Sequence, residues 1–97
     1  MIRRESDRLI VGGPVTLANV TQVLSEGLAQ IENGARTVDL GEVTELDSSL
    51  VAALLAWMRE ARRHNTELGF INLPEGLTTI ARLYGVDQLL PTGTAPR

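Results

Sequence analysis

The sequence predicts an α/β fold, in which one domain has a central, mostly parallel β-sheet of about four strands with about three to four α-helices packed on it. The chain has 97 residues, which suffices for one hydrophobic core but not for two. Hydrophobic residues make up 43% of the chain and aromatic residues only 3%, so the core must be aliphatic. Strand-like and helix-like patterns alternate, and this alternation favours parallel strands covered by helices.

The chain begins with a predicted β-hairpin. Residues 8–12 form a short apolar run that predicts a strand. Gly-Gly-Pro at 12–14 then predicts a turn, and Val15 a brief second strand. Residues 1–8 have no apolar stretch behind their arginines, so they do not resemble a signal peptide.

A helix and a buried strand follow. Apolar residues recur on one helical face at Val20, Val23, Leu24, Leu28 and Ile31. Thr16 or Asn19 would cap the start of this helix, and Asn33-Gly34 would end it. Residues 36–40 then predict a buried strand.

The second half of the chain predicts two more helices and one more strand. Residues 41–46 are expected to form a loop, and Asp47-Ser48-Ser49 opens the longest helix, which runs to about residue 65. Residues 67–72 predict a strand and 76–84 a last helix, with Leu83 and Tyr84 in the core. Leu89 and Leu90 would pack back on the domain, while 92–97 would fray, so the core spans about 7–91.

Composition excludes several classes of function. The chain has no cysteine and one histidine, His64, which excludes a thiol nucleophile and nearly excludes a histidine-based metal cluster or triad. The net charge of −3 disfavours nucleic acid as a partner. The longest apolar run, near 50–58, is too short to span a bilayer. We therefore expect a cytoplasmic protein without cofactor or metal.

The most informative feature is the helix start at Asp47-Ser48-Ser49. Unpaired N–H groups and a partial positive charge at a helix N-terminus stabilise an oxygen or a phosphate there. In one interpretation Asp47 and Ser48 only cap the helix. In the other, a serine hydroxyl here contacts a partner protein or is modified under its control.

The helix that follows carries two apolar stripes. One stripe is predicted to face the sheet and consists of Val51, Leu54, Leu55 and Met58. The second lies roughly 100–120° away by the helical period and consists of Leu50, Ala53 and Trp57. An exposed apolar stripe that contains the only tryptophan indicates a protein interface. The alternative is that Trp57 covers the edge of the domain beneath other helices.

Residues 38–55, VDLGEVTELDSSLVAALL, resemble the signature of STAS domains: a strand ending in Asp-Leu, a short loop, and V-D-[ST]-x-G-L opening a helix. The resemblance covers nearly the whole chain, as a single STAS domain over 1–97. Residues 79–91, TIARLYGVDQLLP, are similar to the MlaB-like members of the family. The chain departs from the signature at Leu50, where glycine is usual, and this disfavours access of a kinase to the hydroxyl.

The resemblance implies a non-enzymatic regulatory subunit. MlaB-like domains bind the cytoplasmic ATPase (MlaF-like) of an ABC transporter that also contains a permease and a periplasmic lipid-binding subunit, and that supports outer-membrane lipid asymmetry. Such a subunit would stabilise or activate the ATPase and lie peripherally on the inner membrane. Ser48 occupies the hydroxyl position of the signature and Asp47 its acidic position. The expected partner-binding residues are Asp47, Ser48, Ser49, Leu50, Ala53 and Trp57, with Thr44 and Glu45 as weaker candidates.

Two alternatives remain open at this point. The resemblance also covers anti-sigma-factor antagonists, in which Ser48 would be a phosphorylation site in a partner-switching system and its added charge would disrupt the interface. An enzyme would have to use clustered carboxylates for acid–base work, namely Asp39, Glu42, Glu45 and Asp47. The stronger interpretation is that these carboxylates lie in a solvated loop.

Overall fold

The structure, a computed structural model, describes residues 1–85 and contains seven elements in that range. In chain order they are β1 (Ile2–Glu5), β2 (Arg8–Val15), α1 (Val20–Glu32), β3 (Thr37–Leu46), α2 (Ser48–Arg63), β4 (Gly69–Ile71) and α3 (Glu75–Leu83). The predicted order, β-β-α-β-α-β-α, is matched from α1 onward, but both predicted first strands fall within β2, and β1 was not predicted. The predicted packing of Leu89 and Leu90, the fraying of 92–97 and the domain boundary near 91 lie outside the described residues.

The four strands form one sheet in the order β1-β2-β3-β4. β1 pairs antiparallel with β2, whereas the β2–β3 and β3–β4 pairs are parallel. In register, Leu9 lies beside Val38, and Val38 beside Phe70. The predicted mostly parallel sheet is therefore confirmed.

The predicted hairpin is wrong in its boundaries. Its first strand is β1, and the chain reverses at Ser6-Asp7, where Ser6 adopts a left-handed φ of 58°. Gly12 and Gly13 do not form a turn but lie inside β2, with shifts of register on either side of them. The reason is that β2 has a partner on each side: β3 pairs with it along its length, and the N–H and carbonyl of Gly12 are hydrogen-bonded to Met1.

The loop predicted at 41–46 is likewise wrong, because β3 continues to Leu46. Gly12 lies beside Glu42, and Val15 beside Leu46, so these residues extend the same parallel pair. β3 therefore delivers the chain directly to α2, with Asp47 as the single intervening residue.

The core lies between one face of the sheet and the helices. Leu9, Val38 and Phe70 from the strands are at most 1% exposed, and so is Leu54 from α2. Alternate strand residues such as Asp39 point to the opposite, polar face. Within residues 1–85, no helix combines the length and the apolar character needed to cross a membrane.

The ends of α1 are fixed by local contacts. Asn19 occupies the N-cap position, but its side chain accepts a hydrogen bond from the Thr16 N–H and caps no helical N–H. The predicted stop at Asn33-Gly34 is confirmed, and Gly34 takes a φ of 103° that favours glycine. From β1, Arg4 donates hydrogen bonds to the backbone and side-chain oxygens of Gln30.

Candidate functional site

Asp47 holds the N-terminus of α2 in place. One oxygen of its carboxylate accepts a hydrogen bond from the Ser49 N–H at 2.8 Å, and the other accepts one from the Leu17 N–H at 3.0 Å. These donors, Leu17 first, lower the pKa of Asp47 because they stabilise the charged carboxylate. The capping interpretation of Asp47 is confirmed, and both of its oxygens are engaged within the chain.

Ser48 is the first residue of α2 and is half-buried. Within residues 1–85 its hydroxyl has no hydrogen-bond partner, and it lies at the positive end of the helix dipole. Ser49 is also half-buried, while Thr44 and Glu45 are exposed near the end of β3. The structure thus brings these four predicted contact residues to one end of the sheet, at the junction of β3 and α2.

The predicted exposure of Leu50, Ala53 and Trp57 is wrong. Leu50 and Trp57 are 0% exposed and Ala53 is 1% exposed. The indole of Trp57 lies against Gly27 of α1, and its Nε1–H donates to the Leu24 carbonyl oxygen at 3.1 Å. The absence of a side chain at Gly27 makes the space for the indole. Trp57 therefore lies beneath α1, as the alternative interpretation predicted.

The stripe of α2 that was expected to face the sheet is only partly buried. Val51 and Leu54 are buried as predicted, but Leu55 and Met58 are only half-buried, and Ala52 beside them is exposed. A shallow pocket of about 320 Å³ lies here between α2 and Tyr84. We call this surface the α2 patch, defined by Ser48, Ala52, Leu55, Met58 and Tyr84.

Two arginines border the α2 patch. A neighbouring depression is lined by Leu55, Met58, Arg59 and Arg62, so the apolar surface runs on toward positive charge at the C-terminal end of the helix. Tyr84 is 65% exposed and Leu83 77% exposed, so the prediction that they lie in the core is wrong. Tyr84, directly after α3, borders the pocket beside α2.

Sequence reasoning missed Leu17. This residue is 79% exposed in the turn between β2 and α1, and its N–H is the one bonded to Asp47. The same turn is held by hydrogen bonds from the Thr16 N–H to the Asn19 side chain and from that side chain to the Pro14 carbonyl. A signal was present, because an isolated leucine between Thr16 and Asn19 belongs to neither the strand nor the helical face.

The carboxylates considered for an enzyme do not converge on one site. Asp39 accepts hydrogen bonds from Asn72 and from the Gly41 N–H, on the polar face of the sheet. Glu42 pairs with Arg3, which lowers the pKa of Glu42. Among the described residues the one cluster of possible metal ligands lies elsewhere, at Glu32, Glu60 and His64.

Comparison with known proteins identifies one family and several related structures. The family described as "Mlab, STAS domain" matches residues 2–91. The MlaB chain of the Acinetobacter MlaFEDB complex in an ATP-bound conformation is 25% identical, with a TM-score of 0.79 over 93% of this chain and 96% of that chain. Comparison with curated protein sequences gives no significant match.

Two further structures share the fold. The anti-sigma-factor antagonist SpoIIAA in its unphosphorylated form is 16% identical, with a TM-score of 0.70 over 100% of this chain and 87% of that chain. The phosphorylated form from Bacillus is 17% identical, with a TM-score of 0.67 over 99% and 87%. At these identities the likeness establishes the fold alone.

Proposed function

This chain belongs to the MlaB-type STAS domain family, and we propose that it is a non-enzymatic regulatory subunit of a phospholipid-transporting ABC complex. It would bind the MlaF-like ATPase subunit and stabilise or activate it. The same complex would contain a permease and a periplasmic lipid-binding subunit and maintain outer-membrane lipid asymmetry. The domain would then lie in the cytoplasm, peripheral on the inner membrane through its complex.

The likeness to the MlaB chain of the MlaFEDB complex carries this proposal. That likeness has the highest TM-score among the structures compared above, and it extends over nearly the full length of both chains. This likeness in fold and extent supports the same kind of subunit for this chain.

We place the partner surface at the N-terminal end and outer side of α2. It comprises Ser48, Ser49 and the α2 patch, with Thr44, Glu45 and Leu17 around the helix start. The proposed contact set excludes Leu50, Ala53 and Trp57, because their side chains are buried. Asp47 acts indirectly, because its two hydrogen bonds orient Leu17 and the first turn of the helix.

The proposed mechanism is differential binding. A subunit can shift the equilibrium between two ATPase conformations only by the difference in its affinity for them. A surface that combines the Ser48 hydroxyl, apolar side chains and arginines could prefer the conformation competent for nucleotide binding or dimerisation. The domain would then act without contacting the nucleotide.

Co-purification with the ATPase tests the proposal. Ser48→Glu and Ala52→Glu each place a negative charge on the proposed surface, and we expect both to lose the ATPase from a pull-down while circular dichroism shows a folded domain. Thr21→Glu adds the same charge to an exposed site on α1 and serves as the matched control. Retention of the ATPase by both surface variants would overturn the site assignment.

The second candidate function is an anti-sigma-factor antagonist regulated by phosphorylation of Ser48. One observation favours it: Leu50, whose size was expected to hinder access to the hydroxyl, is 0% exposed and points into the core. Recovery of a kinase-like protein in the pull-down, together with phosphate on Ser48 by mass spectrometry, would favour this function. Recovery of an ABC ATPase and permease would favour the first.

A further inference from the structure

A second cluster of functional side chains lies at the opposite end of α2 from Ser48. Glu60 and His64 come from one face of α2, four residues apart, and Glu32 comes from the last turn of α1. The imidazole Nε2 is 3.0 Å from one oxygen of Glu60. One ligand atom from each of the three residues lies within 4.8 Å of the other two.

Glu60 is the buried member of this cluster. It is 8% exposed and is the only buried polar or charged residue among those described. One of its oxygens lies 3.0 Å from Nε2 of His64 and the other 3.0 Å from Arg63, and a carboxylate oxygen of Glu32 lies within 4.8 Å of the cluster. The two carboxylates concentrate negative charge beside an imidazole nitrogen, and a divalent cation bound between them would neutralise it.

The residue types indicate which cation would fit. Imidazole nitrogen together with carboxylate oxygen is a donor set that suits zinc, whereas magnesium and calcium prefer oxygen ligands alone. Two carboxylates would balance the double charge of the ion. Arg63 pairs with the other oxygen of Glu60 at 3.0 Å and would orient that carboxylate from behind.

We propose that Glu32, Glu60 and His64 form a zinc-binding site that joins the C-terminal ends of α1 and α2. Zinc bonds of about 2 Å place neighbouring ligand atoms roughly 3.3 Å apart, which is close to the His64–Glu60 separation already present. Glu32 is exposed at the end of its helix, so its side chain has room to close the remaining gap.

A small pocket next to the cluster leaves a place for a fourth ligand. Glu32 and His64 line it together with Gly34 and Thr66. Three protein ligands and one open position form the arrangement in which zinc retains a water molecule. The site is distinct from the α2 patch, so zinc and a partner protein could bind at the same time.

Isothermal titration of the full chain with zinc chloride tests the proposal. We expect saturable binding of one zinc ion per chain, at least tenfold weaker in His64→Asn and in Glu32→Gln. Glu26→Gln removes an exposed carboxylate from the same helix as Glu32 and is the matched control, with unchanged affinity expected. Magnesium in place of zinc should give no saturable signal.

A thermal unfolding series provides an independent readout. Zinc should raise the unfolding temperature of the unaltered chain and of Glu26→Gln but not that of His64→Asn, because the ion would link two helices only in the folded state. The variants at 32 and 64 alter exposed residues, so they are expected to fold; Glu60 is left unchanged because it is buried. Absence of saturable zinc binding, or equal binding by all variants, would overturn the proposal.

Discussion

The contact between Gly27 and Trp57 predicts that Gly27→Ala destabilises the domain, which is the opposite of what helix propensity alone predicts. Replacing glycine by alanine inside a helix usually stabilises it by about 1 kcal/mol. At position 27, however, the added Cβ would lie 2.5 Å from Nε1 of Trp57 and nearer still to two carbons of the ring. Real Cβ atoms essentially never approach another heavy atom within 3.0 Å, so the indole or the helix must move.

The size of the effect follows from what the indole contacts. Trp57 is 0% exposed, so it has no free space to enter, and overpacking of this kind costs about 1–3 kcal/mol. Displacing the ring also breaks the hydrogen bond to the Leu24 carbonyl, for about 1 kcal/mol more. After the propensity gain is subtracted, Gly27→Ala should destabilise the domain by about 1–3 kcal/mol, or roughly 5–15 °C in unfolding temperature.

Urea and thermal unfolding followed by circular dichroism would measure this loss. Gly76→Ala in α3 is the matched control, because the nearest atom to its added Cβ is a Leu46 methyl at 3.9 Å. We expect that variant to be unchanged or slightly stabilised. Combining Gly27→Ala with Trp57→Phe should cost less than the sum of the two single changes, because the smaller ring leaves room. An unfolding temperature for Gly27→Ala at or above that of the unaltered chain would refute the reasoning.

Three further predictions concern stability. Trp57→Ala should cost about 3–5 kcal/mol in urea unfolding; a variant that kept full stability and lost only partner binding would contradict its burial. Gly34→Ala should cost about 1–3 kcal/mol because its φ is 103°, whereas Gly69→Ala, with open space around it, should cost less. The carboxylate of Asp47 has a lowered pKa, so its stabilisation is complete above the ordinary value of 3.8 and declines as pH falls through the folded-state value. The difference in unfolding temperature between the unaltered chain and Asp47→Ala should therefore narrow in acid, and a constant difference would contradict the capping geometry.

Features set by neighbouring residues were predictable from the sequence. The start of α2 was predicted because an aspartate and two serines in a row form a local capping signal, and the end of α1 because Asn33-Gly34 suits a left-handed turn. The order of the elements from α1 onward likewise follows from periodicity within short windows.

β1 was missed because its stability depends on a strand elsewhere in the chain. Its residues, Ile-Arg-Arg-Glu, include one apolar side chain and three charged ones, so no apolar run marks it. Pairing with β2 supplies its backbone hydrogen bonds. The turn predicted at Gly12 and Gly13 was wrong for a similar reason. These residues pair with β3, which is distant in the chain, and rules based on neighbouring residues do not detect such pairing.

The orientation of α2 was predicted wrongly because two apolar stripes compete for the core. Periodicity identifies both stripes but does not say which one faces the sheet and α1. Which stripe is buried depends on Gly27 of α1, more than twenty residues earlier in the chain, because the absence of a side chain there makes room for the indole of Trp57. With Trp57 packed against α1, Leu55 and Met58 lie nearer the surface, where they form part of the α2 patch.

The strand order in the sheet is also the order of the strands along the chain, and this bears on how the domain assembles during synthesis. Each new strand adds to the edge left by the previous one, so no strand has to insert between two that are already paired. Once α2 has left the ribosome, β1, β2, β3 and both long helices are available, with Trp57 and Gly27 among them. A nascent chain of that length can therefore close most of its core before β4 and α3 appear, which limits the time that its apolar strand edges are open to aggregation.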